Sequence, residues 1–331
     1  MVAFNNSVQP RGTSHPVTRS VFSHLGRIDS KLPLKSAARD VFIRSVSIGG
    51  LAGSLMTLGA KIWKPVEIAE KPKILKQSAL HHPRVVVYAH FDANGQLSSA
   101  DESALACYRE AGYQLIVVTT SASWPVDKLE LADAVIIRPN VGFDFGSWQT
   151  AIKLLLPIAQ RRSLDHLVLV NNSVYGPLWP VSELLTRARE QANVVTTTKS
   201  REWRPHFHSY FLSFDNKALI SDAFDTYWSQ NFAYTNKWPI IVRGELRWER
   251  YFRAAGLTTD NLIPLQTRIR RTEFTFFWDD LIRSGLPYLK KSLFKQNYDN
   301  INLTGWREQL GKVAPLYDLS LIERDIPRGT P

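Results

Sequence analysis

Two stretches of the chain gather groups able to hold a polar ligand: Pro139-Asn-Val-Gly-Phe-Asp-Phe-Gly-Ser-Trp148 and Leu167-Val-Leu-Val-Asn-Asn-Ser-Val-Tyr-Gly-Pro-Leu178. In each, an apolar run ends in a small polar cluster with glycine, as when an α/β sheet presents ligand-binding groups at the carboxyl end of a strand. Asp144 stands between Gly142 and Gly146, a fixed carboxylate whose glycine neighbours would let the backbone approach a ligand. The same Asp is suited to cap a helix beginning at Phe145. Asn171, Asn172 and Ser173 supply two amides and a hydroxyl, or simply a polar turn into Tyr175-Gly-Pro177.

Strand and helix signals alternate from residue 84 onward and would position these clusters. Arg84–His90 is a β-branched run followed by the turn-forming Asp92-Ala-Asn-Gly95, and Ser99–Ala111 has helical spacing that stops at Gly112. Strands are predicted over 114–120, 134–138, 166–170 and 193–198, with helices over 145–159, broken by Pro157, and 181–191. Continuous apolar strands separated by helices predict a mostly parallel sheet covered on both faces. Beyond Lys199 the pattern weakens: strand character over 208–214, helices over 217–230 and 245–255, and a helix, a glycine stop and a second helix over 277–291.

The chain has 331 residues, 44% of them hydrophobic, which is ample for a packed core and excludes wholesale disorder. A single Cys107 rules out an internal disulfide, and no Cys/His finger spacing occurs, so a reducing, cytoplasmic compartment is expected. The net charge of +11 is uneven: residues 1–80 carry +8 and the rest only +3. That segment reads as a basic leader with one helix at about 41–63, ahead of a domain at 84–320. Sixteen uncharged residues between Arg44 and Lys61 fall short of the roughly 20 that cross a bilayer. That helix is expected to pack on the domain or, second, to lie in the membrane interface, and the basic charge of the leader suits peripheral contact with an anionic membrane surface. Nucleic acid is not expected as a partner, since no recognised nucleic-acid-binding signature is present. No P-loop, Gly-x-Gly-x-x-Gly fingerprint or Gly-x-Ser-x-Gly elbow follows any strand, which weighs against a different α/β enzyme on nucleotide or phosphate substrates.

Four motifs, in order, carry a resemblance. Asn140-x-Gly142-x-Asp144-x-Gly146-Ser-Trp148, Asn171-Asn-Ser-Val-Tyr-Gly-Pro-Leu178, His206-Phe-His-Ser-Tyr-Phe211 and Phe277-Trp-Asp-Asp-Leu-Ile-x-x-Gly-x-Pro-Tyr-Leu-Lys290 resemble the rhamnan synthesis protein F family over about residues 84–310. The resemblance implies a GT-A-like, Rossmann-like α/β fold with a helical C-terminal part. It implies a glycosyltransferase moving a sugar, plausibly rhamnose, from a nucleotide-sugar donor to a glycan or glycolipid acceptor. The setting implied is bacterial surface polysaccharide or lipopolysaccharide assembly at the inner face of the plasma membrane. A catalytically weakened carbohydrate-binding relative in the same pathway is the alternative.

Such a reaction needs a strand-end crevice, neutralisation of the leaving diphosphate and a carboxylate to take the acceptor proton. The crevice would be built from His90 and Asp92, from Asn140, Gly142 and Asp144, and from Asn171, Asn172 and Ser173. The last three stand where a metal-using GT-A enzyme has an Asp-x-Asp pair for Mg²⁺ or Mn²⁺; neutral oxygens bind such an ion more weakly, so metal use is open. Without metal, Lys199, Arg201 and Arg204, or Arg268, Arg270 and Arg271, would face the diphosphate. His206 matches the family pattern, whereas His208 departs from its more usual Gln. Glu245 is the first choice for proton acceptor, with Asp92 and Glu249 in reserve; a first-turn helix acid is its other reading.

Overall fold

The computed structural model describes residues 64–200, 206–264, 273–297 and 300–326. The predicted 41–63 helix, Arg201, Arg204, Arg268, Arg270 and Arg271 lie outside these residues.

Eight strands form the main sheet: β1 (Lys73–Gln77), β2 (Arg84–His90), β3 (Gln114–Thr119), β4 (Ala134–Ile137), β5 (His166–Asn171), β7 (Val194–Thr196), β10 (Phe211–Asp215) and β11 (Thr259–Asn261), in spatial order β1-β4-β3-β2-β5-β10-β7-β11. Two small ladders flank it: β6 (Val174–Tyr175) with β12 (Leu289–Lys290), and β8 (Lys199–Ser200) with β9 (His206–Phe207). Only β1 and β10 run against the other strands of the main sheet, so it is mostly parallel, as the apolar runs predict. The chain steps outward from β2 through β3 to β4, then returns to lay β5 on the other side of β2. A reversal of this kind opens a crevice at the carboxyl ends of the two central strands.

Among the described residues five main helices cover the sheet: α1 (Ser99–Glu110), α2 (Phe143–Leu155), α3 (Ser182–Gln191), α4 (Asp222–Ser229) and α5 (Trp248–Ala254). Alternation along β2 sends Val85, Val87 and Ala89 to one face, in a core with Trp148, Trp228 and Phe252 of α2, α4 and α5. Val86 and Tyr88 face the other side, with Leu105 and Tyr108 of α1 and Leu185 of α3. Both faces are thus sealed. Shorter helical pieces, including Trp278–Arg283 and Lys291–Lys295, pack as a third cluster around Tyr175, Leu289 and Leu310.

Several boundaries differ from expectation. Strand β1 lies within the span read as leader, paired antiparallel at the sheet edge, so the folded part begins before residue 84. The helix predicted over 217–230 is two helices, Asn216–Leu219 and Asp222–Ser229, the second newly capped by Ser221. After Gly285, at φ +95°, the chain forms the two-residue strand β12 rather than continuing into helix. Among the described residues no helix is long and apolar enough to cross a membrane.

Candidate functional site

The site grows from the contact between α2 and β5. Trp148 is fully buried, and its indole N–H donates to the Val170 carbonyl at 3.0 Å, fixing α2 over the end of β5. One turn earlier, on the same side of α2, the Asp144 carboxylate accepts from the Asn171 amide at 2.7 Å. The two predicted clusters therefore meet. Asp144 is not the helix cap: Gly142 occupies that position at φ +85°, and Asp144 lies in the first turn, where the helix dipole favours a carboxylate. Burial, opposed by Lys237, Lys290 and the Asn171 bond, raises its pKa above the usual carboxylate value.

Glu245 reaches the same place by a different route. It closes a π-helical turn, Ile241–Glu245, rather than starting a helix as predicted. A Cβ on Gly244 would lie 2.8 Å from the Phe145 ring, so glycine there lets the turn press against the residue that follows Asp144. The backbone N–H and hydroxyl of Ser209 donate to Glu245 Oε1 at 3.3 and 3.1 Å. Its other oxygen has no hydrogen-bond partner among the described residues. Asp144 feels the charge of Glu245, and both act on Lys290.

Lys290 is a site residue that the sequence did not single out. Pairing of β12 with β6 sets Lys290 opposite Val174, and the Lys291 N–H donates to the Ser173 carbonyl at 2.9 Å. Lys290 Nζ thus comes within 3.5 Å of Ser173 Oγ and 5.8 Å of the centre of the Phe274 ring. Burial, reinforced by the nearby Lys237 ammonium, brings its pKa down to about 8. His208, hydrogen-bonded through Nδ1 to Thr198 Oγ1 at 2.9 Å, is held well below the usual histidine value by burial, His206 and Lys290.

Other predicted residues are committed to the protein. His90 is 2% exposed and points to the α1 side of β2, where Nδ1 meets Thr119 Oγ1 at 2.9 Å and Nε2 lies 3.7 Å from Asp101. Period-2 alternation from Val86 and Tyr88 would have placed it there. Asp92 Oδ1 accepts from the backbone of Asn94 and Gln96 and so builds its own turn. Asn172 bridges to the Phe91 backbone, donating at 3.0 Å and accepting at 3.3 Å, which ties the ends of β2 and β5 together. Gly142 approaches protein backbone rather than open space, because a Cβ there would meet the Phe232 carbonyl at 2.3 Å. Gly146 makes room for the buried Arg138 guanidinium, 2.7 Å from where its Cβ would be. Asn140 is exposed in the loop after β4. Lys199 is ion-paired to Glu249 at 3.1 Å, and His206 is buried at the edge of the β8–β9 ladder.

A divalent cation is poorly matched to these groups. Asn171 Oδ1 already accepts from the Ser173 N–H and hydroxyl at 3.1 and 2.6 Å, and its amide nitrogen serves Asp144. Mg²⁺ or Mn²⁺ would need several available oxygens, preferably carboxylates, and would meet the charge of Lys290 beside them. No cluster of three or more His, Cys, Asp or Glu suited to a metal occurs among the described residues.

Residues 116–328 match the family model described as rhamnan synthesis protein F. The chain belongs to that family. Among curated proteins, this rhamnan synthesis protein F member is similar to virulence protein VirA of Vibrio anguillarum, at 24% identity over 56% of this chain and 69% of the relative. It is 27% identical to the uncharacterised protein y4gN of Sinorhizobium fredii over 46% of this chain and 41% of that protein. A solved structure titled as the apo form of the bifunctional glycosyltransferase WbbM aligns at TM-score 0.30 and 10% identity. The alignment spans 63% of this chain and half of that one, a likeness too loose to add to the topology above.

Proposed function

We propose that this chain is a GT-A-like glycosyltransferase that moves a sugar, rhamnose in the first instance, from a nucleotide-sugar donor to a growing bacterial surface glycan or glycolipid. The observation that carries the reading is the convergence of Asp144, Asn171, Ser173 and Glu245 at the carboxyl edge of the sheet, where the strand order reverses. Family membership supports the pathway.

In this reading the donor lies across the ends of β2 and β5. Asp144, oriented by Asn171, binds a hydroxyl of the donor. Glu245, with one oxygen held by Ser209, takes the acceptor hydroxyl's proton as the new glycosidic bond forms and the bond from the sugar to the diphosphate breaks. The basic segment ahead of β1 brings the folded domain to the inner face of the membrane, where a lipid-linked acceptor resides. The engagement of both Asn171 and Asn172 by protein partners favours one second reading, a relative that binds glycan without turnover.

Radiolabelled transfer from a panel of nucleotide sugars to membrane glycolipid separates the two. Glu245→Gln should reduce transfer by about 10²–10⁴-fold while leaving donor affinity within a few-fold. Unaltered turnover would remove Glu245 from the reaction. Glycan binding without any transfer, across the whole panel, would favour the second reading.

A further inference from the structure

We propose that Lys290, assisted by Lys237, forms the binding site for the donor's diphosphate and occupies the role a divalent cation has elsewhere. This rests on the nucleotide-sugar reading and specifies how the leaving group is held.

Among the described residues, geometry singles out Lys290 from the other cations. Its ammonium is half-buried at the end of β5, 3.5 Å from Ser173 Oγ, and no carboxylate lies within ion-pairing distance of it among the described residues. The alternatives are engaged: Lys199 pairs with Glu249 at 3.1 Å. Arg138 donates to the Ser147 hydroxyl at 3.2 Å and to the backbone carbonyls of Phe143 and Val141. Lys291 is drawn away to Asp101 at 3.1 Å on the α1 side.

Lys237 is the like charge that acts most strongly on Lys290. That like charge and the partial burial of Lys290 both raise the free energy of the empty site and lower that of the site filled by an anion. Asp144 and Glu245 offset part of this charge without ion-pairing to Lys290, which leaves oxygens for hydroxyl groups. A diphosphate laid over Ser173 would receive the Lys290 ammonium, whose 3.5 Å hydrogen bond to the Ser173 hydroxyl oxygen is long and readily exchanged for a phosphate oxygen. The same arrangement explains why the Asn171 and Asn172 oxygens are turned to protein donors: the charge they would have coordinated is already supplied by a lysine.

Binding also carries a proton signature. The charged and titratable groups whose fields act on or are acted on by Lys290 are Lys237, Asp144, Glu245 and His208. With its pKa at about 8, it is partly deprotonated at pH 8.5, and an arriving phosphate anion should draw a proton onto it.

Calorimetric titration of the full-length protein with UDP, GDP, ADP, CDP and dTDP, in EDTA and in Mg²⁺ or Mn²⁺, tests this. At least one nucleoside diphosphate should bind in EDTA, with proton uptake at pH 8.5. Lys290→Gln should weaken that binding about tenfold or more and abolish the uptake, whereas Lys290→Arg should keep affinity within about threefold. If Lys290→Gln does not fold by circular dichroism, exposed Lys237→Gln decides, with an expected loss of about threefold or more. Binding that requires a divalent ion, or an affinity unchanged by removing these charges, overturns the diphosphate site while sparing the nucleotide-sugar reading. Failure of the folded wild type to bind any of the five, with or without metal, sinks both.

Discussion

Asp144→Asn should lower sugar transfer by about 10²–10³-fold with no loss of stability. Asparagine keeps an oxygen to accept the Asn171 amide, so the 2.7 Å link between α2 and β5 survives the substitution. Only the negative charge goes. The stability side has a definite sign. Burial raises the folded-state pKa of Asp144, so on raising the pH the unfolded chain releases this proton first, and wild-type stability falls from about pH 4 up through the folded value. Asp144→Asn removes that contribution and should be as stable as wild type at pH 4 and more stable at pH 7. Urea denaturation at the two pH values, beside initial transfer rates, measures both halves. Equal rates for variant and wild type would take Asp144 out of the site.

Gly142→Ala should cost about 2–5 kcal/mol, combining a left-handed backbone with a steric clash. At φ +85°, with the Phe232 carbonyl 2.3 Å from the new Cβ, neither backbone can yield without moving the start of α2. Gly256→Ala is the internal control: φ is +81°, but nothing lies within 4 Å of the added carbon, so only the conformational cost of about 1–2 kcal/mol applies. The difference between the two midpoints in urea isolates the close approach. Because Asp144 sits two residues along, Gly142→Ala should also lose transfer activity, and Gly256→Ala should not.

How much of this was legible beforehand differed from element to element. Arg84–His90 and the strands beside it stand out because buried parallel strands are apolar throughout, and the meeting of Asp144 with Asn171 follows once their strands share a sheet edge. Gly142 and Gly146 were visible as special positions, but the partner backbone at Phe232 and the guanidinium of Arg138 are distant in sequence, so a ligand was put in their place. Lys290 closes the fourth motif but was given no role, for the same reason. Its two-residue strand has no periodicity of its own and exists only through pairing with Val174–Tyr175, more than a hundred residues earlier. The π-turn that delivers Glu245 likewise packs, at Gly244, against Phe145, a residue distant in sequence.

The adjacent lysines at the junction of β12 and the helix Lys291–Lys295 meet different surroundings, Lys290 near Ser173 and Lys291 at buried Asp101. A single-residue insertion or deletion between Gly285 and Lys290 would shift the frame and exchange the two, stranding one ammonium and leaving one acid without its counter-charge. Natural variation in this connection should therefore preserve its length even where side chains drift, and grafting a C-terminal segment from another member should succeed only when that spacing is kept.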